Sequence, residues 1–263
     1  MSTHPRGRLA GKVCAVTGAT GIAAASAARF IEEGAEVFVI SLHESDCIAL
    51  SDQIGSALLS WTTADVSNEE QTEAAFAVGR ERYGRLDGLF AVAGGSGRPL
   101  GDGLLHEVSL QAWNATLALN LTTGFLPARE ATRIMLGQPS GGSIVVTSST
   151  VAKWPAPGYF DIHAYAAAKA GMIGWARAAA GAYAPNGIRF NVIAPGLTNT
   201  PMARRAASDE PTMQWTKVRQ PLPAGMLDPT DHANAALYFL SDEARHVTGQ
   251  VHAVDGGFGV TSG

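Results

Sequence analysis

The chain has 263 residues, 46% of them hydrophobic and 16% charged, with 30 glycines and a formal charge of -4. That balance argues against a disordered chain and suits a compact α/β protein with a sizeable core, while the slight acidity and a single doubled basic pair, Arg204-Arg205, give no phosphate-tracking surface for nucleic acid. Cys14 and Cys47 are too few and too isolated for a disulfide framework. The polar start, "MSTHPRGRLAGK", lacks a secretory apolar core, and every apolar run stops short of membrane-spanning length. A soluble cytoplasmic protein with no membrane contact is expected.

The first apolar run, "KVCAVTG", predicts a strand ending in a glycine turn, and 21–33 predicts the helix after it. The unit repeats as "EVFVIS" with 45–54 and as "ALLSWTT" with 68–83. "LDGLFAVAG" leads to a helix around 109–136, "GSIVVTSS" to one at 164–183, and "IRFNVIAPG" to an irregular stretch. A helix near 230–241 and a strand in "GQVHAVDGG" close the pattern. Seven strands alternating with helices predict an α/β, doubly wound, mostly parallel sheet covered on both faces, in one domain over 1–263. Segments 95–107, 153–163 and 198–229 look irregular and follow carboxyl ends of strands, the edge where open α/β sheets bind ligands. They are expected to form a substrate mouth. Trp154, Phe160, Met202 and Trp215 there suggest an apolar substrate body, or else cover for the core or a subunit contact.

After the first strand, Gly18, Thr20, Gly21 and Ile22 form a turn into a helix, where backbone N–H groups can approach a pyrophosphate at the positive helix end. The second strand ends at Ser41, Leu42 and His43, which offer neither a carboxylate for ribose hydroxyls nor a firm cation for an added phosphate. NAD and NADP both stay open. Asp65 and Val66 end the third strand, where a carboxylate can meet an adenine amine or serve a helix N-terminus. The seven histidines are scattered without ligand spacing, so no metal site is expected, and His163 is expected on the surface.

Tyr165 and Lys169 in "YAAAK" lie one helical turn apart and share a face. Alone the pair is ordinary. In register with the other pieces, the sequence resembles the short-chain dehydrogenase/reductase family from about Leu9 to Phe258, which implies a Rossmann-like fold. The family's Tyr-x-x-x-Lys falls on Tyr165 and Lys169, its serine on Ser149 with Ser148 as a rival, and its asparagine on Asn120. Ala93 and Gly94 follow the fourth strand, and Pro195, Gly196, Thr198 and Thr200 match the segment that closes over the nicotinamide.

The resemblance implies an NAD(P)-dependent oxidoreductase that moves hydride between the cofactor and a secondary alcohol or ketone. Tyr165 would be the general acid or base, favoured as phenolate by the Lys169 ammonium and the oxidised nicotinamide ring. Ser149 would bond the substrate oxygen, Lys169 the ribose hydroxyls, and Asn120 a water relaying protons. A small-molecule carbonyl or alcohol is the expected partner, with a homo-oligomer, tetramer or dimer, built on helices 109–136 and 164–183. Two departures stand out. Only Ala19 and Thr20 separate Gly18 from Gly21, one residue fewer than usual, and Ala23 replaces a third glycine, which predicts a shifted phosphate path or weaker binding. The family's Asn-Asn-Ala-Gly reads Ala91-Val92-Ala93-Gly94, removing two bracing amides. Both departures leave room for a catalytically silent dinucleotide-binding regulator. The two-residue glycine spacing also resembles extended sugar-nucleotide epimerases, for which the chain is short.

Overall fold

The structure, a computed structural model, describes residues 7–261; the polar start at 1–6 lies outside them. In chain order come β1 (Val13–Thr17), α1 (Gly21–Glu32), β2 (Glu36–Ser41), α2 (Glu44–Ile54), β3 (Leu59–Thr63), α3 (Glu69–Tyr83) and β4 (Gly88–Ala91). α4 (Leu110–Leu117) and α5 (Thr123–Leu136) are joined by a wide π turn over Ala118–Thr122, and β5 (Gly142–Thr147), α6 (His163–Tyr183) and β6 (Ile188–Pro195) follow. α7 (Arg204–Ala207), α8 (Glu210–Arg219), α9 (Pro229–Leu240) and β7 (Val251–Val254) complete the set.

All seven strands are parallel, in the order β3-β2-β1-β4-β5-β6-β7. The chain winds outward from β1 to β3 and then returns to β4, so the reversal falls between β1 and β4, beside the glycine turn. That crevice is where doubly wound sheets take ligands. The strands alternate in allegiance: Val13 and Ala15 join Phe38, Leu89, Ile144 and Phe190 under α3, α5 and α6, while Cys14 and Val16 join Val37, Phe90, Val145 and Ile193 under α1 and α9. Burial on both faces explains why these strands read as unbroken apolar runs. Both cysteines are free and buried, and burial pushes the Cys14 thiol up to about 12.

The turn after β4 is braced from β1. The hydroxyl oxygen of Thr17, fully buried at the end of β1, accepts from the backbone N–H groups of Val92 and Ala93, both at 3.0 Å. Thr17→Val keeps the shape and strands both donors, so it is expected to cost about 2 kcal/mol or more of stability. Urea unfolding checks this; an unchanged midpoint would rule the brace out.

The stretch 198–229 is more ordered than its composition predicted. Asp209 caps α8, its Oδ2 accepting from the Thr212 N–H at 3.0 Å, and Thr198 bridges to Leu227 in parallel. The sequence signal, Asp-Glu-Pro at 209–211, is a helix start that was outweighed by the surrounding Pro, Met and charge.

Candidate active site

The catalytic candidates are held from outside their own helix. Asp102, in the segment after β4, is 5% exposed and spends both carboxylate oxygens on the start of α6, accepting from the N–H groups of Ala164 and Tyr165 at 2.9 Å each. A carboxylate at a helix N-terminus answers orphan donors and the positive dipole end together. Nothing in the local sequence marked Asp102, because its partners are more than 60 residues away.

One turn apart on α6, as the spacing predicted, Tyr165 and Lys169 are both buried, at 8% and 3% exposure. Lys169 Nζ donates to the carbonyl of Thr147 at 2.9 Å and lies 5.6 Å from the Tyr165 ring centroid. The two serines differ in their hydrogen bonds. Ser148 Oγ donates to the Lys169 carbonyl at 2.7 Å and is 2% exposed, so it is committed to the scaffold. Ser149 starts the 3-10 turn Thr150–Ala152 and places its hydroxyl against that of Tyr165.

Burial pushes the Tyr165 phenol up to about 12, with the Ser149 contact pulling weakly the other way, and it brings the Lys169 ammonium down to about 8. Desolvation disfavours the charged form of each group.

Asn120 sits fully buried in the π turn. Its Oδ1 accepts from the Gly95 N–H at 3.1 Å, and its Nδ2 donates to the carbonyls of Gly95 at 2.9 Å and Thr116 at 3.2 Å. The amide therefore clamps the turn after β4. Gly94 is obligatory there: a Cβ would come 2.8 Å from Asn120 Oδ1.

These groups line a cleft of about 400 Å³ with Gly18, Thr20, Gly21, Ile22, Ala93 and Gly94 on one side and Pro195, Gly196, Thr198 and Thr200 on the other. Gly18 and Gly21 have φ of 96° and 54°, and a Cβ on Gly21 would meet Thr200 Cγ2 at 2.9 Å, so the segment after β6 closes against the glycine turn. Ala23 is 1% exposed, and a Cβ added to Gly18 would meet its methyl at 3.3 Å. Two other groups set this segment. The amide of Gln220 accepts from Leu197 N–H at 2.6 Å and donates to the carbonyls of Leu197 and Gly225, and it fills the space a side chain on Gly196 would need. The Thr198 hydroxyl pairs with His232 Nε2 at 2.7 Å, and burial lowers that histidine to about 4.

The residue set fits a nicotinamide dinucleotide. Lys169 is a buried cation with three N–H groups and one acceptor, and the Thr147 hydroxyl beside it is buried with no partner, so two strong polar groups face the cleft unspent. Ser41, Leu42, His43, Asp65 and Val66 stand at the same sheet edge but outside this cleft. Ser41 is buried, Leu42 and His43 are exposed, and Asp65 Oδ1 accepts from both the N–H and hydroxyl of Ser67, while Asn68 is the residue that caps α3. Of the apolar mouth candidates, Phe160 and Met202 line the cleft. Trp215 stacks on Tyr159 at 4.3 Å behind it, and Trp154 packs on Gly259. His163 is exposed and does not line it. Among the described residues no group of three or more His, Cys, Asp or Glu could hold a metal, and no helix is long and apolar enough to cross a membrane.

The comparisons agree with this geometry. Residues 16–259 match a family model described as enoyl-(acyl carrier protein) reductase. A 3beta-hydroxysteroid dehydrogenase of Mediterraneibacter gnavus is 35% identical, with 96% of each chain covered. The 2,5-dichloro-2,5-cyclohexadiene-1,4-diol dehydrogenase LinX of Sphingobium indicum is 36% identical over 96% of this chain and 98% of that protein. A crystal structure of a putative short-chain dehydrogenase/reductase from Burkholderia xenovorans superposes with a TM-score of 0.89 at 35% identity, covering 98% of this chain and all of that one. The parallel sheet, the Tyr-x-x-x-Lys helix and these relatives together make the chain a member of the short-chain dehydrogenase/reductase family, oxidoreductases that work on hydroxyl and carbonyl groups with a nicotinamide cofactor.

Proposed function

We propose that the whole chain is one catalytic domain that interconverts a cyclic secondary alcohol and its ketone. The observation that carries this reading is the convergence of Ser149, Tyr165 and Lys169 in one cleft, with the Lys169 ammonium buried on a single acceptor. A cyclic substrate is supported by the apolar walls and by relatives named for steroid, cyclohexadienediol and cis-4-hydroxycyclohexanecarboxylate oxidation.

The bound cofactor supplies the hydride acceptor or donor. In the reducing direction Tyr165 Oη passes its proton to the substrate oxygen while Ser149 Oγ donates a hydrogen bond to the same atom. Lys169 Nζ, aimed into the cleft, holds ribose hydroxyls and keeps a positive charge beside the phenol. Asn120 fixes Gly94 and Gly95 next to Lys169. Gly18, Thr20, Gly21 and Ile22 receive the pyrophosphate on the α1 N-terminus, and Ser41, Leu42, His43, Asp65 and Val66 flank the adenosine end. Exposed Leu110 and Phe125 on α4 and α5 support pairing of subunits through that face.

The direct test titrates purified protein with NADH and NADPH by fluorescence, then follows nicotinamide absorbance across cyclic alcohols and ketones. Tight cofactor binding with turnover of at least one ring substrate is expected. Binding without turnover over a broad panel would sink the catalytic reading.

A further inference from the structure

Two arginines at the cleft form no ion pair with any described residue. Arg98, on a 3-10 turn after β4, and Arg205, on α7, both line the same cleft as Tyr165. Arg98 is half-buried, and its one side-chain hydrogen bond is a long one, 3.4 Å, to the carbonyl of Tyr159. Arg205 is exposed and makes no side-chain hydrogen bond or ion pair with any described residue. Burial disfavours charge on Arg98 and the positive charge of Arg205 adds to this, while Asp161 and Asp102 act the other way.

Carboxylates stand nearby, but each bonds elsewhere. Asp102 holds the start of α6, Asp161 accepts from the Gly158 N–H at 3.1 and 3.3 Å, and Asp209 caps α8 through Thr212. None of the three pairs with either arginine. The fold thus places two cations with no ion-pair partner among the described residues, one of them half-buried, beside walls made of Pro99, Phe160, Met202 and Phe258. Such an arrangement is stabilised by an anion delivered on an apolar body, and the planar fork of a guanidinium matches a carboxylate in two parallel hydrogen bonds.

We propose that Arg98 and Arg205 form a carboxylate subsite, and that the substrate of this cleft is a ring alcohol or ketone carrying a carboxylate remote from the reacting carbon. This rests on the oxidoreductase reading above and names its substrate class. The anion anchors one end of the ring while the other end reaches Tyr165 and Ser149, so the subsite acts on orientation as well as affinity.

The test compares 4-oxocyclohexanecarboxylate with its neutral carboxamide as substrates. The wild-type protein is expected to favour the acid in kcat/KM by about tenfold or more, a preference that shrinks as salt rises. Arg98→Gln is expected to bring the acid-to-amide ratio near one, and Arg205→Gln, a change at an exposed site that folding tolerates, to lower it in the same direction. A wild-type ratio near one, or a ratio unchanged in both variants, overturns the proposal. Weakened NADH binding in Arg98→Gln with the ratio intact also overturns it, because the arginines then serve the cofactor phosphates. If neither ketone is reduced, the oxidoreductase reading fails for this ring class on its own. Calorimetric titration with cyclohexanecarboxylate and cyclohexanecarboxamide then decides the subsite: acid-selective binding lost in Arg98→Gln upholds it, and equal binding of the two ends it.

Discussion

Tyr165→Phe is expected to lower turnover by about 1000-fold on a genuine substrate, within the range that positioned proton donors contribute, while cofactor affinity changes by less than about threefold. The variant keeps the ring at the cleft wall and removes only the hydroxyl that faces Ser149. With the phenol held near about 12 by burial, the wild-type protein carries the proton needed for reduction throughout the neutral range. Oxidation needs the opposite form, so its rate is expected to climb with pH below that value as the phenolate fraction grows. The residual rate of Tyr165→Phe lacks that climb. Steady-state absorbance in both directions, from pH 6 to 9, reads both effects; a variant with wild-type rates, or with the same pH rise, would remove Tyr165 from the proton path.

The sequence was most legible where the physics is local. Seven apolar runs became seven strands because strands buried on both faces need no alternation, and the Tyr165–Lys169 spacing became a shared helix face because helices repeat every 3.6 residues. What escaped was set by partners distant in sequence. Thr17 braces the turn after β4 across 75 residues, Asp102 holds the start of α6 from another loop, and Gln220 shapes the segment at Leu197 from the far end of α8. A threonine at a strand end or an aspartate in a loop looks the same whether or not a distant donor needs it. The charge states were illegible for a similar reason. Adjacency of Tyr165 and Lys169 carries no information on their burial, which disfavours charge on both. The π turn at Asn120 has no marker in "ALNLT", and the bonds that Asn120 and Thr123 make there run to the distant turn after β4.

Lys169→Met is expected to separate stability from activity. The folded chain holds this ammonium near about 8 against an ordinary value of 10.5, with burial as the cause. A base whose folded value is lowered is a stability cost wherever it is charged. Between those two values the unfolded chain keeps a proton the folded chain releases, so stability rises with pH across that window and the cost stands in full below it. At neutral pH the cost is about 3 kcal/mol, from about 1.4 kcal/mol for each pH unit between the two values. Removing the charge recovers it, less about 1 kcal/mol for the Thr147 carbonyl that loses its donor. The cofactor-free variant is therefore expected to melt about 5 °C higher than the wild-type protein at pH 7, with the gap closing as pH approaches 10.5. Turnover is expected to fall by at least about 100-fold, because the ribose hydroxyls lose their cation and the phenol its neighbouring charge. Saturating NADH or NADPH should reverse the melting order, since ligand stabilisation follows affinity and the variant has given up the group that supplies it. Thermal unfolding with and without cofactor, at pH 7 and near pH 10, measures every term. A cofactor-induced shift as large in Lys169→Met as in the wild-type protein would show that this buried charge is a cost of folding with no return in binding.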